Sequence, residues 1–296
     1  MNQSIFKSYD IRGVYPGDID AESAYKIARA TVVYTGASSV VVGRDMRASS
    51  PELVEAVIRG VTDQGADVID IGLCSTPLFY FSVADYDVHD AGIMVTASHN
   101  PKEYNGMKII RGDAQAIGLE SGLAEIRDLV LAGDFPDVPR GTVIETSTRE
   151  QYLEKLFEFV SADTISSLKV VVDCGNGMGG LLLADIFSAL GGSASLGPPS
   201  GGASPPAGRA GGKRLPCELT PIYAELDGNF PNHEANPIKE ENLADLKKKV
   251  LEVGADLGVA YDGDADRVGF VDGEGRMIRG DIVAILLAKE ILRVSQ

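Results

Sequence analysis

Two stretches of this sequence set side chains of chemical use close together. One is Thr96-Ala-Ser-His-Asn-Pro101, where a serine, a histidine and an asparagine stand side by side after an apolar run. The other is Tyr261-Asp-Gly-Asp-Ala-Asp-Arg267, which places Asp262, Asp264 and Asp266 at alternate positions ahead of an arginine. Like charges that close raise one another's pKa unless something positive sits among them. A hard divalent cation taking oxygen ligands satisfies all three, and the donor set suits Mg²⁺. An EF-hand fails, because the sixth loop position is Arg267 rather than glycine and the twelfth is Gly273 rather than glutamate. The plainer alternative, a solvated acidic turn, is weakened by the apolar runs on both sides. In the first stretch Ser98 is the candidate nucleophile, although three polar turn formers could equally satisfy their own backbone.

The elements around these residues explain how they would be presented. Residues 92–95 are apolar with a β-branched end, long enough for a buried strand and too short for a helix. Pro101 cannot continue a ladder and biases Asn100 away from helical angles, so Ser98 to Asn100 belong on a loop at that strand's carboxyl end. Ligands bind there in α/β sheets. Upstream, residues 21–35 read as a helix closed by Gly36, 40–43 as a buried strand, and 51–64 as a helix capped by Ser49 or Ser50. A strand at 68–71 and a short helix at 78–84 follow. Downstream, Asn105-Gly106 reads as a tight turn that leads Lys108 onto a new strand. Strands alternating with helices specify an α/β domain with a parallel or mixed sheet.

The stretch 133–141 reads as a domain boundary, and 150–160 as an amphipathic helix that starts or bridges to a second domain. A strand at 168–173 then runs through Gly175-Asn-Gly-Met-Gly-Gly180 into a helix at 181–190. These letters match a dinucleotide fingerprint, but the acidic residue it needs would fall within 191–216. There, twenty-one of twenty-six residues are Gly, Pro, Ser or Ala and none is acidic, so a flexible insertion is expected. The glycines of 175–180 are instead expected to allow a tight turn close to another domain. A strand at 218–223, a turn-rich loop at 227–237 and a charged helix at 241–252 complete the unit. His233 in that loop reads as a residue positioned by hydrogen bonds rather than as a metal ligand.

At 296 residues the chain has room for two domains and part of a third. Its formal charge of −16 argues against nucleic acid or an anionic membrane as partner. Cys74, Cys174 and Cys217 are odd in number and widely spaced, which fits structural thiols in a reducing compartment. No signal pattern and no apolar stretch near ~18 residues is present, so a cytoplasmic location is expected.

Taken with Tyr9-Asp-Ile-Arg-Gly13, Gly43-Arg-Asp-Met-Arg47, Tyr104-Asn-Gly-Met-Lys108 and Asp227-Gly-Asn-Phe-Pro-Asn-His233, the two chemical stretches give a sequence that resembles the α-D-phosphohexomutases. It is most similar to their phosphomannomutase/phosphoglucomutase group, over nearly the whole chain except 191–216. The resemblance implies consecutive three-layer α/β/α domains with mixed sheets and an active site in the cleft between them. Residues 1–145 would form the first domain with a phosphoserine loop, 146–276 the second with the metal loop, and 277–296 the start of an incomplete third.

The resemblance further implies a mutase that interconverts hexose 1-phosphate and hexose 6-phosphate, of mannose or glucose, through a bisphosphate intermediate. Ser98 would carry the phosphoryl group and, with Asp262, Asp264 and Asp266, hold Mg²⁺. Arg12 and Lys108 would move or stabilise the sugar hydroxyl's proton, and His99 would support the phosphoserine. Tyr9, Lys7, Arg44 and Arg267 would line the substrate site, and a hexose 1,6-bisphosphate would serve as activator. The sugar-selecting loop and the clamp for the distal phosphate belong to the family's third and fourth domains, so turnover is expected to be impaired in this chain. It would be a monomer or depend on a partner. Two other activities stay open at this point: a non-catalytic phosphosugar and Mg²⁺ binder, and Mg²⁺-dependent hydrolysis at Ser98.

Overall fold

The short apolar runs assemble into two sheets, each with helices on both faces. The computed structural model describes residues 2–85, 88–159, 167–189 and 217–294, so the expected insertion at 191–216 lies outside the described residues. The first sheet contains β1 (Ile11–Val14), β2 (Ser39–Arg44), β3 (Asp67–Leu73), β4 (Ala91–Val95), β5 (Tyr104–Arg111) and β6 (Val143–Glu145), in the order β1-β5-β4-β2-β3-β6. β2 pairs in parallel with β3 and β4, and β3 with β6, while β5 runs antiparallel to β4 and β1. Side chains alternate across the pleat, so Val40, Val42, Ile93 and Val95 meet α1 (Ala21–Thr35), α2 (Ser50–Asp63) and α4 (Leu123–Ala132). Val41 and Met94 point the other way, onto Leu78, Phe79 and Val83 of α3 (Thr76–Ala84). Every residue of β4 is buried, which makes it the rigid centre from which Ser98 departs.

Local sequence signals set some of these elements, and tertiary packing overrules others. Gly36 closes α1 at φ 66°, as a C-cap glycine should. Ser49 occupies the cap position of α2 but makes no side-chain cap bond. Its hydroxyl instead accepts from the Asn105 amide at 2.8 Å, and Ser50 donates to Asp45 at 2.6 Å. Asn105-Gly106 is no hairpin turn either. Both residues lie inside β5, opposite Gly13 and Arg12 of β1. An added Cβ on Gly106 would stand 1.9 Å from the Ile11 carbonyl, so the glycine is needed for strand approach rather than for a turn. The stretch at 133–141 does not end the first unit, because β6 follows it and joins the edge of the first sheet.

The second sheet contains β7 (Lys169–Asp173), β8 (Glu218–Ile222), β9 (Leu257–Tyr261), β10 (Val268–Asp272) and β11 (Met277–Ile278), in the order β11-β10-β9-β7-β8. Val171 packs with Leu246 and Val250 of α7 (Ala244–Val253) on one face. Val170 and Val172 pack with Leu183 of α6 (Gly179–Ala189) on the other. Both units are therefore three-layer α/β/α with mixed sheets. The bridging helix is α5 (Arg149–Phe159), which contacts α3 on one side and α6 on the other, with Tyr152 and Phe81 ring centroids 5.4 Å apart. After β11 comes α8 (Gly280–Val294), whose Ile282, Ile285, Leu286 and Ile291 are exposed. No described helix is long and apolar enough to cross a membrane.

Gly106→Ala should push β1 away from β5 and destabilise the protein by about 3 kcal/mol, the upper part of the range for overpacking. A urea melt that leaves the midpoint unchanged would contradict this account of the β1–β5 contact.

Candidate active site

The chain turns as soon as β4 ends. Thr96 N–H reaches back to the Gly106 carbonyl at 3.1 Å, and Ser98 N–H donates to the Thr96 hydroxyl at 2.9 Å. Ser98 itself takes φ 49°, a left-handed conformation that costs an L-residue about 1–2 kcal/mol and persists only where the surroundings enforce it. Its hydroxyl donates to Asp262 Oδ2 at 2.6 Å, a bond that crosses from the first unit to the second.

Asp262 lies at the end of β9, in the tight loop that returns as β10. Its N–H donates to the Arg267 carbonyl at 3.2 Å and its Oδ1 accepts from the Arg267 N–H at 3.0 Å. Asp264 is held from the other unit: its carbonyl accepts from Thr76 N–H at 2.9 Å and its Oδ2 from the Thr76 hydroxyl at 2.7 Å. Thr76 opens α3, whose first turn offers partial positive charge to the carboxylate. The two loops approach so closely that a Cβ on Gly263 would meet the Ser98 carbonyl at 2.3 Å. Gly177 in turn packs against Gly263, and Met178 N–H donates to the Gly263 carbonyl at 2.9 Å. The glycine-rich turn thus abuts the acidic loop of its own unit, not another domain as expected.

Donor oxygens of Asp262, Asp264 and Asp266 all lie within 4.8 Å of one another. Asp264 Oδ1 is buried without a hydrogen-bond partner. An orphaned carboxylate oxygen beside two others is unfavourable unless a cation completes it, so these residues fit a metal.

The charges around the cluster are unevenly shared. Burial and the charges of Asp264 and Asp266 push the Asp262 carboxyl well above its ordinary value. Burial would raise Asp264 too, but Lys108 Nζ at 2.7 Å and the Thr76 hydrogen bond hold it below. Lys108 also pairs with Asp266, and the two carboxylates raise its pKa against the opposing effect of burial. It therefore remains an ammonium and serves as an internal counterion. Burial, Arg267 and Arg12 together lower His99, which is neutral near pH 7. Its Nδ1 accepts from Arg267 Nη1 at 2.8 Å, which assigns the ring proton to Nε2. Ser98 Oγ lies 3.3 Å from the same Nδ1, but the serine proton goes to Asp262 and the Nδ1 lone pair to Arg267, so the ring packs beside the serine without a hydrogen bond to it.

Arg12 projects from β1 into the same region, gripped by Asp10 at 2.7 and 3.0 Å and by Asn100 Oδ1 at 3.0 Å. The structure thus gathers Ser98, His99, Arg12, Lys108, Arg267 and the three aspartates. Three other candidates make no side-chain hydrogen bond to this group among the described residues. Lys7 is exposed, Tyr9 is 83% exposed, and Arg44 turns its guanidinium onto the Asp45 carbonyl at 3.2 Å. Sequence reasoning missed Asp10 and Thr76. Asp10 stood inside a quoted motif, and the Ser75-Thr76-Pro77 run at a helix start was the only trace of the other.

His233 lies nearby and is bonded as an imidazolium. Nε2 donates to Asp173 Oδ2 at 2.9 Å and Nδ1 to the Glu234 carbonyl at 2.9 Å. With acceptors at both ring nitrogens, the protonated form is favoured; burial would lower its pKa, but Asp173 and Glu234 outweigh that and raise it. The ring thereby anchors the 227–237 loop, as expected of a residue positioned by hydrogen bonds.

Models of the phosphoglucomutase/phosphomannomutase family match this chain twice: α/β/α domain I over residues 3–137 and α/β/α domain II over residues 198–275. The chain belongs to the phosphoglucomutase/phosphomannomutase family. A phosphomannomutase/phosphoglucomutase of Pseudomonas putida is 40% identical over 296 aligned positions, which take in 98% of this chain and 56% of the relative. A phosphomannomutase of Salmonella montevideo is 38% identical, with 98% of this chain and 60% of the relative covered. The crystal structure of a phosphoglucomutase/phosphomannomutase family protein from Burkholderia thailandensis superposes with a TM-score of 0.81 at 35% identity, over all of this chain and 60% of that one. This family member therefore spans somewhat more than half the length of the curated relatives it matches.

The His233 bond pattern sets a pH dependence. A raised folded-state pKa contributes stability that is complete below the ordinary value of 6.5 and is lost as pH rises through the folded value. The stability advantage of the native chain over His233→Gln should be greatest in mild acid and shrink toward alkaline pH. A constant difference in denaturant midpoint from mildly acidic to alkaline pH would contradict the imidazolium assignment.

Proposed function

We propose that this chain carries the phosphoserine half of a phosphosugar mutase that interconverts the 1- and 6-phosphates of a hexose, mannose or glucose. The single observation that carries the reading is the Ser98 hydroxyl, 2.6 Å from Asp262 within a cluster of three carboxylates suited to a cation. Residues 1–145 supply the serine and the unit from 146 onward the acidic loop; that unit runs past the expected limit of 276, because β11 pairs with β10, and a third domain would open only with α8. Sugar choice and the hold on the distal phosphate fall to the part of the relatives' length that this chain does not span. Two buried free thiols, Cys74 and Cys174, fit the reducing cytoplasm where phosphorylated hexoses are the substrates.

Ser98, Asp262, Asp264 and Asp266 would hold Mg²⁺, which when bound neutralises phosphoryl charge and polarises the transferred group. Ser98 Oγ attacks one phosphorus of a hexose 1,6-bisphosphate. The serine O–P bond forms as the sugar O–P bond breaks, and the serine proton ends on the released sugar hydroxyl. The phosphoserine then passes its group to the free hydroxyl of a hexose monophosphate, the serine O–P bond breaking as a sugar O–P bond forms and the hydroxyl proton returning to the serine; the bisphosphate so formed gives its other phosphoryl group back to Ser98 and leaves as the isomeric monophosphate. Lys108 and Arg12, both cationic and fixed by carboxylates, offset negative charge on the oxygens that exchange the group and lie where that proton moves. Asp10 and Asn100 keep Arg12 oriented, the Asp262 hydrogen bond fixes the Ser98 hydroxyl, and Arg267 holds the His99 ring beside it. Phosphoryl transfer depends mostly on such positioning and charge stabilisation.

Incubation of the purified protein with Mg²⁺ and glucose 1,6-bisphosphate should add one phosphate to its intact mass. Ser98→Ala should gain none, and Asp264→Asn should react at least about a hundredfold more slowly, the scale for losing one electrostatic element of a site. A folded, initially unphosphorylated protein that gains no phosphate, or a Ser98→Ala variant that gains it equally, would refute the proposal.

A further inference from the structure

Arg47 is a guanidinium with no exposed side-chain surface, and the acidic loop and the reacting groups do not account for it. Nη2 donates to the carbonyls of Ser98 at 2.9 Å and Asn100 at 2.6 Å; Nη1 donates to those of Pro101 at 2.8 Å and Tyr104 at 3.0 Å. Its Nε lies 3.2 Å from Asp45 Oδ2, so the charge is paired within its own turn. Four carbonyls of one seven-residue turn, 98–104, thus converge on a single planar fork. The Pro101 carbonyl also accepts from Tyr104 N–H at 3.0 Å, so the loss of the fork would fall hardest on Ser98 and Asn100, and a lysine, a point charge on a flexible stem, cannot serve four such acceptors.

The second unit presses on the same side chain. Phe230 places its ring centroid 5.0 Å from the Arg47 guanidinium carbon, and a Cβ on Gly228 would meet the Arg47 Cα at 2.7 Å. That loop is itself fastened by His233 to Asp173 and by Asn232 to Asn176, the latter at 2.7 Å. A continuous chain of contacts therefore runs from the second sheet, through Phe230 and Arg47, to the carbonyl of the residue that holds the nucleophile in a left-handed conformation.

We propose that Arg47 is a positioning residue: it locks the backbone of the Ser98 turn and couples that turn to the seating of the 227–237 loop. Swinging the Ser98–His99 peptide would carry the hydroxyl away from Asp262, so the lock is what keeps the serine in line for transfer. The catalytic consequence rests on the phosphoserine reading above; the structural one does not.

The test compares native protein with Arg47→Lys and Phe230→Leu in two measurements. The first is the rate of phosphate gain by intact mass over a range of glucose 1,6-bisphosphate at saturating Mg²⁺. The maximal rate should fall about a hundredfold for Arg47→Lys, the scale of a 1 Å misplacement, with the half-saturating bisphosphate concentration unchanged. The second is amide hydrogen exchange, which should quicken across 97–104 in both variants while β4 and β5 keep native protection. If the native protein takes no phosphate, the functional reading fails and exchange alone decides the role of Arg47. Native-like exchange across 97–104 in folded Arg47→Lys overturns the proposal. Should that variant not fold, native-like exchange in Phe230→Leu, which leaves the guanidinium in place, overturns the coupling.

Discussion

Three carboxylates gathered in one loop, two of them buried, repel one another, and the arrangement of this molecule follows from how that repulsion is met. Lys108 answers part of it, bonded to Asp264 and Asp266 from β5 of the first unit. Thr76 and the start of α3 answer another part, also from the first unit. Asp262 is left with the Ser98 hydroxyl and the Arg267 N–H, both uncharged donors, and a pKa driven upward by burial and its neighbours. The acidic loop is thus built by one sheet and compensated by the other, so the two units must be packed together for either to be comfortable. Asp264 Oδ1, buried and unbonded, marks the place where compensation within the protein runs out.

Close approach has its own requirements, and they explain residues that carry no charge. Gly263 has no side chain because the Ser98 carbonyl occupies the space where one would stand. Gly106 lets β1 lie against β5, which brings Arg12 to the loop that bears the serine. The glycine-rich turn before α6 serves the same end from behind, with Met178 bonded to Gly263. Each of these positions is a steric condition on the same few ångströms between Ser98 and Asp262.

Much of this was legible in the sequence, for identifiable reasons. The buried strand before Ser98 and the helices flanked by glycine, proline and serine follow from local chemistry, and the structure contains them. The acidic triad was legible because its three members share one short loop. Asn105-Gly106 was misread because a strong local turn signal was overruled by strand pairing with a segment ninety-odd residues away in the chain, a tertiary effect invisible to a short window. The role of Arg47 was not legible, because a motif with two arginines does not say which one faces inward; the turn after β2 buries the second. Thr76 could not be tied to Asp264 at all, since 188 positions separate them and only the fold brings them together.

The central claim is that the Ser98 turn and the acidic loop form one cation site across two units. Anomalous diffraction from crystals of the native protein soaked in Mn²⁺ tests it most directly, since the scattering locates the ion without reliance on turnover. The account predicts one peak, about 2.1 Å from oxygens of Asp262, Asp264 and Asp266 and from Ser98 Oγ. A peak bound by exposed carboxylates elsewhere, with the triad still empty at saturating metal, would contradict it.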